Sequence, residues 1–226
     1  MSQTNTFIKE SLYATLLELK ENNNRDWYHA NKAKVETARA QLEALVNGLL
    51  PQVRAFDSNV GIWEAKNTLY RQARDIRFSQ DKSPYKTHFA ANICYGNVRD
   101  HNLPCYYIHF EDNHCMLAGG VAFPMNDNLK KIRDEIYYNF EEFDSIVKSK
   151  EIKKYFSGLD SDYCLKTAPK GYPKDCQAID YLKHKNFIFS IVIDEQETWL
   201  AGFENRVVDI FYSMRLFNQF LFRALS

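Results

Sequence analysis

No run of apolar residues in this chain is long enough to cross a bilayer. The longest, Phe187 to Ile193, stops far short of the ~20 residues a membrane helix needs, so no membrane partner is expected. There is no Cys-x-x-Cys pair, and the five cysteines, Cys94, Cys105, Cys115, Cys164 and Cys176, are odd in number. The N-terminal Met-Ser-Gln-Thr-Asn-Thr lacks the apolar core of a signal peptide. Together these features predict reduced thiols in a cytoplasmic protein. Glycine and proline are scarce, at 8 and 6 residues, which excludes a low-complexity or disordered chain. Charge of either sign is not in excess, with 29 basic and 29 acidic residues, so general nucleic-acid binding is not expected. Gly-x-Ser-x-Gly and a glycine-rich loop ending in Lys-Ser/Thr are both missing. No cofactor is therefore expected, and no catalytic signature fixes a reaction.

What the chain does contain is a large supply of core material. Its 226 residues are 45% hydrophobic and 15% aromatic, with sixteen Phe and fourteen Tyr. Leu12, Leu16 and Leu19 share one helical face between about Ser11 and Glu21, where a run of asparagines ends the helix. Asn24 is placed to cap a second helix from Arg25, and Asp26 in its first turn suits the helix dipole. A third helix is predicted from Lys32 to Leu50, stopped near Pro51.

The period then changes to two. Thr87, Phe89, Ala91, Ile93 and Tyr95 alternate with Lys86, His88, Ala90, Asn92 and Cys94. Cys105 to Glu111 and His114 to Phe123 alternate too, with Asp112-Asn113 as a two-residue turn. That register puts Tyr106, Ile108, Phe110, Cys115, Leu117 and Val121 on one face. Tyr107, His109, Glu111, His114 and Met116 fall on the other. Gly119-Gly120 inside this strand suggests a bulge or the close approach of another backbone or a ligand.

Helical patterning returns after Pro124, with Asn126 as a cap before Leu129, Ile132 and Ile136, and one or two shorter helices between Glu141 and Phe156. Lys166 to Pro173 is a Pro/Gly-constrained loop, a short helix lies near Asp175 to Lys183, and Phe187 to Ile193 is a strand. A last helix spans about Phe203 to Ala224. Its stripe of Phe203, Val207, Ile210, Met214, Phe217, Leu221 and Ala224 is core packing or, alternatively, a dimer seam. Helices, then antiparallel strands, then helices predict an α+β fold: one domain over residues 1–226, with a central antiparallel sheet flanked by N-terminal and C-terminal helices.

The densest chemistry lies between Arg71 and Lys86, where three arginines and two lysines share sixteen residues with only Asp75 and Asp81. In either a helical or an extended conformation Asp75 can brace Arg71. The remaining cations ask for acidic residues elsewhere in the fold or for an anionic ligand. Arginine forks bind carboxylate and phosphate bidentately. Arg71, Arg74, Asp75, Arg77, Lys82, Tyr85 and Lys86, with Lys170 and Tyr172 from the constrained loop, are the candidate ligand-binding set. The site is expected where this motif meets the polar sheet face and that loop. The competing reading is a structural ion-pair network in an interaction or scaffold protein. His109, Glu111 and His114 form a metal-compatible set of donors, and His88 could join them from a neighbouring strand. Their spacing matches no known metal motif, so a metal-dependent hydrolase is the third reading.

Arg71, Arg74, Asp75, Arg77, Phe78, Asp81, Lys82 and Tyr85 spell R-x-x-R-D-x-R-F-x-x-D/N-K-x-x-Y without departure. On this pattern the chain resembles a bacterial family, domain of unknown function 2461. Asn23-Asn24-Arg25-Asp26-Trp27-Tyr28, Ala118-Gly119-Gly120 and Pro169-Lys170-Gly171-Tyr172 also look like that family. After Asp175 the family favours His-Pro, where this chain has Cys176-Gln177. The resemblance implies a cytoplasmic bacterial protein with one domain over its full length. It implies no activity.

Overall fold

The computed structural model describes residues 9–96 and 102–226; the N-terminal Met1-to-Thr6 segment considered above lies outside them. Helix α1 (Glu10–Glu21) buries Leu12, Leu16 and Leu19. The Asn24 side chain accepts a hydrogen bond from the Trp27 N–H and caps α2 (Arg25–Ala30), satisfying one of the donors a helix start leaves open. Helix α3 (Lys32–Phe56) runs straight through Pro51 instead of stopping there. An interior proline costs ~3 kcal/mol. Here Leu49, Leu50 and Val53 continue the buried stripe of Leu42, Leu45 and Val46, and burial at ~1.5–3 kcal/mol per side chain outweighs that cost.

A single turn, α4 (Ala65–Thr68), leads into an irregular arm of residues 69–88 and then the sheet. Strands β1 (Phe89–Cys94), β2 (Cys105–Glu111) and β3 (His114–Val121) follow one another. Helices α5 (Asn126–Tyr138), α6 (Phe140–Val147), α7 (Lys150–Lys153) and α8 (Ile179–Leu182) precede β4 (Phe187–Asp194). The sheet order is β1-β2-β3-β4 and every pairing is antiparallel. Asn113 turns the β2–β3 hairpin at φ 66°, the left-handed conformation that asparagine tolerates. Helices α9 (Glu195–Thr198), α10 (Phe203–Ser213) and α11 (Arg215–Leu225) close the chain. The molecule is thus an α+β protein, its antiparallel sheet flanked by helices from both ends of the sequence.

Two further helix expectations change. Asn126 is the first residue of α5 and its side chain caps nothing. The C-terminal helix is two helices, broken at Met214. Its stripe from Phe203 through Leu221 is buried in both pieces, and so packs in the core. A break of one residue leaves that spacing intact, which is why periodicity does not reveal it. Met214 sits at the break with its side chain over Gly119, where an added Cβ would lie 2.7 Å from the Met214 Sδ.

The two faces of the sheet are the ones the alternation predicts. Phe89, Ala91, Ile93, Tyr106, Ile108, Phe110, Cys115, Leu117, Val121, Phe187, Phe189 and Ile193 are buried, with α1, α3, α10 and α11 packed over them. The opposite face carries Asn92, Tyr107, His109, Glu111, His114, Met116, Ala118 and Ser190 in register. Among the described residues no helix is long and apolar enough to cross a membrane.

Candidate functional site

The arm is an extended chain folded back on itself. Ala73 bridges Tyr85, the Arg74 N–H donates to the Pro84 carbonyl at 2.9 Å, and the Lys86 N–H donates to the Gln72 carbonyl at 2.9 Å. The buried Gln72 side chain donates to the Lys86 and His88 carbonyls, doing for them what a neighbouring strand would do. The N-terminal corner holds this arm. Asn23 donates to the Tyr85 carbonyl (2.8 Å) and accepts from the Tyr85 N–H (3.1 Å), while the Tyr28 ring stacks on Tyr85 at 3.8 Å. Two stretches far apart in sequence, Asn23 to Tyr28 and Arg71 to Lys86, therefore form one structural unit.

At the tip of the arm most of the charge is compensated locally. Arg77 grips Asp75 with two hydrogen bonds, at 2.9 and 2.6 Å, and holds that carboxyl well below its ordinary range. Arg74 pairs with Asp81 and also donates to the Ser83 carbonyl at 3.2 Å. Asp81 accepts from the Ser83 hydroxyl and N–H, and these bonds with Arg74 lower its pKa. The Lys82 ammonium donates to the Ile76 carbonyl at 3.0 Å. Asp75 thus hydrogen-bonds Arg77, two residues on, and the charge of Arg71 also lowers its pKa. Residues two apart share one side of an extended chain, so Arg77 reaches Asp75 directly. Among the described residues, Arg71, Lys82 and Lys86 form no salt bridge with a carboxylate. The Lys86 Nζ lies 4.7 Å from the Tyr70 ring centroid. Burial, and then the charge of Arg71, lower the Lys86 pKa.

The arm walls one side of a cavity of about 330 Å³ on the helix-free face of the sheet. Tyr70, Lys86 and His88 come from the arm; Asn92, Tyr107, Met116, Ala118 and Gly120 come from β1 to β3; Ile188 and Ser190 come from β4. Asp160, in the loop after α7, closes the β4 side and accepts from the Ser190 hydroxyl at 3.0 Å. Most walls are apolar, and Leu103 adds to them. Asn92 donates to the Tyr70 hydroxyl at 2.6 Å, but its buried Oδ1 has no hydrogen-bond partner. Gly120 allows β4 to approach: at φ 127°, an added Cβ would collide with the Phe187 carbonyl oxygen. That is the close backbone approach the paired glycines suggest.

At the Lys86 end the face becomes a row of imidazoles. His88 stacks on His109 (centroids 4.4 Å apart, planes 24° apart), and His109 lies 6.3 Å from His114. The Tyr107 hydroxyl is 2.9 Å from His109 Nδ1, and Glu111 Oε2 is 3.3 Å from His109 Nε2. Burial, with His109 and Lys86 nearby, pushes the His88 pKa down to about 4; burial also lowers that of His109, against the pull of Glu111. The His88 ring is neutral at pH 7.

The sequence-derived candidates therefore separate. Lys86 lines the cavity and Arg71 lies close enough to influence it. Arg74, Asp75, Arg77 and Lys82 form the arm's tip, and Tyr85 anchors the arm. Lys170 is exposed, and Tyr172 donates to Asp134 at 2.7 Å and packs its ring against Tyr137 on α5; neither lines the cavity. Asp160 and Tyr70 escaped sequence reasoning. Asp160 sits in a loop with no local signal, and Tyr70 lies just outside the charged run.

This is a four-stranded antiparallel meander, helix-packed on one face, with a charged arm walling a cavity on the other. Residues 12–220 match the family described as Conserved hypothetical protein (DUF2461), and the chain belongs to that family. No curated protein matches the sequence.

Proposed function

We propose that the protein binds a small amphipathic anion in the cavity on the open sheet face. Its carboxylate or phosphate would meet Lys86, backed by Arg71, and its apolar part would lie against Leu103, Met116, Ala118 and Ile188. One observation carries this reading: among the described residues, Lys86 is the motif cation that lines the cavity, and it is half-buried with no carboxylate partner and with the charge of Arg71 near enough to lower its pKa. A half-buried ammonium without a counter-ion is costly, and an anionic ligand would offset that cost. The volume falls at the lower end of the range for small-molecule sites. Calorimetric titration with hexanoate, hexyl phosphate and neutral hexanol tests it. Saturable binding of an anion, weaker binding of the alcohol, and at least about a tenfold loss (~1.4 kcal/mol) in Lys86→Ala are expected. No saturable anion binding, or unchanged affinity in Lys86→Ala, overturns the proposal.

The tip of the arm supports a different role. The local partners of Arg74, Arg77 and Lys82 favour a structural network there, one that shapes the arm without contacting ligand.

A further inference from the structure

We infer that His88, His109 and Glu111 form a binding site for a divalent first-row transition metal ion such as zinc, at the Lys86 end of the cavity. One donor atom from each residue lies within 4.8 Å of the other two. Donors at 2.0–2.2 Å around a tetrahedral ion stand roughly 3.4 Å apart. The His109 Nε2 to Glu111 Oε2 separation of 3.3 Å already meets that figure. For His88 a ring adjustment of up to about 1.4 Å would bring its donor to the same spacing.

The three residues converge because of the sheet's register. Phe89 pairs with Phe110, so continuing the ladder by one residue sets His88 opposite Glu111. His109 lies two residues from Glu111 on the same strand and hence on the same face. The sequence pairs His109 and Glu111 with His114 as donors. In the structure His114 lies on the other side of His109, with its Nδ1 against the Asp112 carbonyl at 3.1 Å, and His88 completes the cluster instead.

Two further observations point to an ion. Among the described residues the His88 imidazole makes no hydrogen bond, although it is more than half buried against another ring. The Tyr107 hydroxyl on His109 Nδ1 leaves Nε2 directed at Glu111. An outer partner of this kind fixes the tautomer and orientation of a metal-bound histidine. Two imidazoles and one carboxylate suit zinc or iron(II) better than calcium or magnesium, and three protein ligands leave a position open. His88 itself lines the cavity, which places that open position beside it.

This site does not depend on the anion reading, and one variant separates the two. Metal-stripped full-length protein is titrated with zinc by calorimetry and with cobalt(II) by absorption. One ion per chain is expected, with affinity falling at least about tenfold in His88→Gln and in Glu111→Gln. The exposed His29→Gln should leave affinity unchanged, and all variants should keep the metal-free melting curve. Lys86→Ala, which removes the proposed anion contact, should bind zinc as tightly as the parent or more tightly, because it deletes a neighbouring positive charge. Uptake below half an equivalent, or undiminished affinity in either His88→Gln or Glu111→Gln, overturns the inference.

Discussion

The two faces of the same four strands carry polar clusters that the fold completes to different degrees. On the helix-packed face stands Asp57, the one fully buried carboxylate among the described residues. It accepts hydrogen bonds from the Tyr95 and Tyr106 hydroxyls, from the Asn59 backbone and from Gln219. The end of α3 is thereby tied to the sheet and to α11. On the open face, among the described residues, Asn92 Oδ1 is unpartnered, Lys86 lacks a counter-ion and the His88 ring makes no hydrogen bond. Consecutive residues of one strand, Tyr106 and Tyr107, point to these two faces. A buried polar group costs about 1–3 kcal/mol when left unpaired, so a satisfied cluster contributes to stability and an unsatisfied one reduces it. The difference teaches where to look for ligands: on the face whose groups the fold itself does not complete.

Deleting the centre of the satisfied cluster is the most severe test of this contrast. Asp57→Ala leaves two tyrosine hydroxyls buried without their acceptor and should cost about 3–5 kcal/mol in urea unfolding. A loss below about 1 kcal/mol would mean that the cluster does not hold the packed face together.

The adjacent glycines sharpen the comparison within a single strand. Gly120→Ala places a methyl group against the Phe187 backbone in a conformation that side chains rarely adopt. A loss of about 2 kcal/mol or more in thermal or urea unfolding is expected. Gly119→Ala meets a flexible methionine end at 2.7 Å, which can move aside, so its loss should be clearly smaller. Equal losses would refute the assignment of the tight approach to Gly120.

The smallest effect belongs to the arm's tip. Arg77→Ala removes a fully exposed pair with Asp75 and should leave the melting temperature unchanged in 0.15 M salt. It should also leave anion affinity unchanged, in contrast to Lys86→Ala. A drop in affinity matching that of Lys86→Ala would move the ligand site out to the tip.

Much of the sheet was legible because a period of two is a local property. Residues from Tyr106 to Val121 sort onto their faces by alternation alone, and Asn113 marks the turn. The helix through Pro51 was not legible, because burial of Leu49, Leu50 and Val53 is a tertiary effect that overrides a local penalty. For the candidate site, the sequence pointed to a charged run and to a polar face. It could not say which cation would find which carboxylate, since turn geometry decides that. Strand order, also invisible locally, is what brings His88 beside His109. Asp160 arrives from a loop and carried no pattern at all.

The outer edge of β1 is occupied at both ends. Val60 bridges Tyr95, and the Gly61 N–H and the Trp63 indole N–H both donate to the Cys94 carbonyl. Leu69 bridges Ala91, and the Tyr70 N–H donates to the Ala90 carbonyl. A bare strand edge is a template on which a second molecule can add its own strand. This matters more for a chain with equal numbers of positive and negative residues and an isoelectric point near 7.0, because at neutral pH its molecules do not repel one another through net charge. The segment from Val60 to Tyr70 keeps copies of the protein from joining sheet to sheet at β1, by steric and hydrogen-bond exclusion where long-range electrostatics offers no protection.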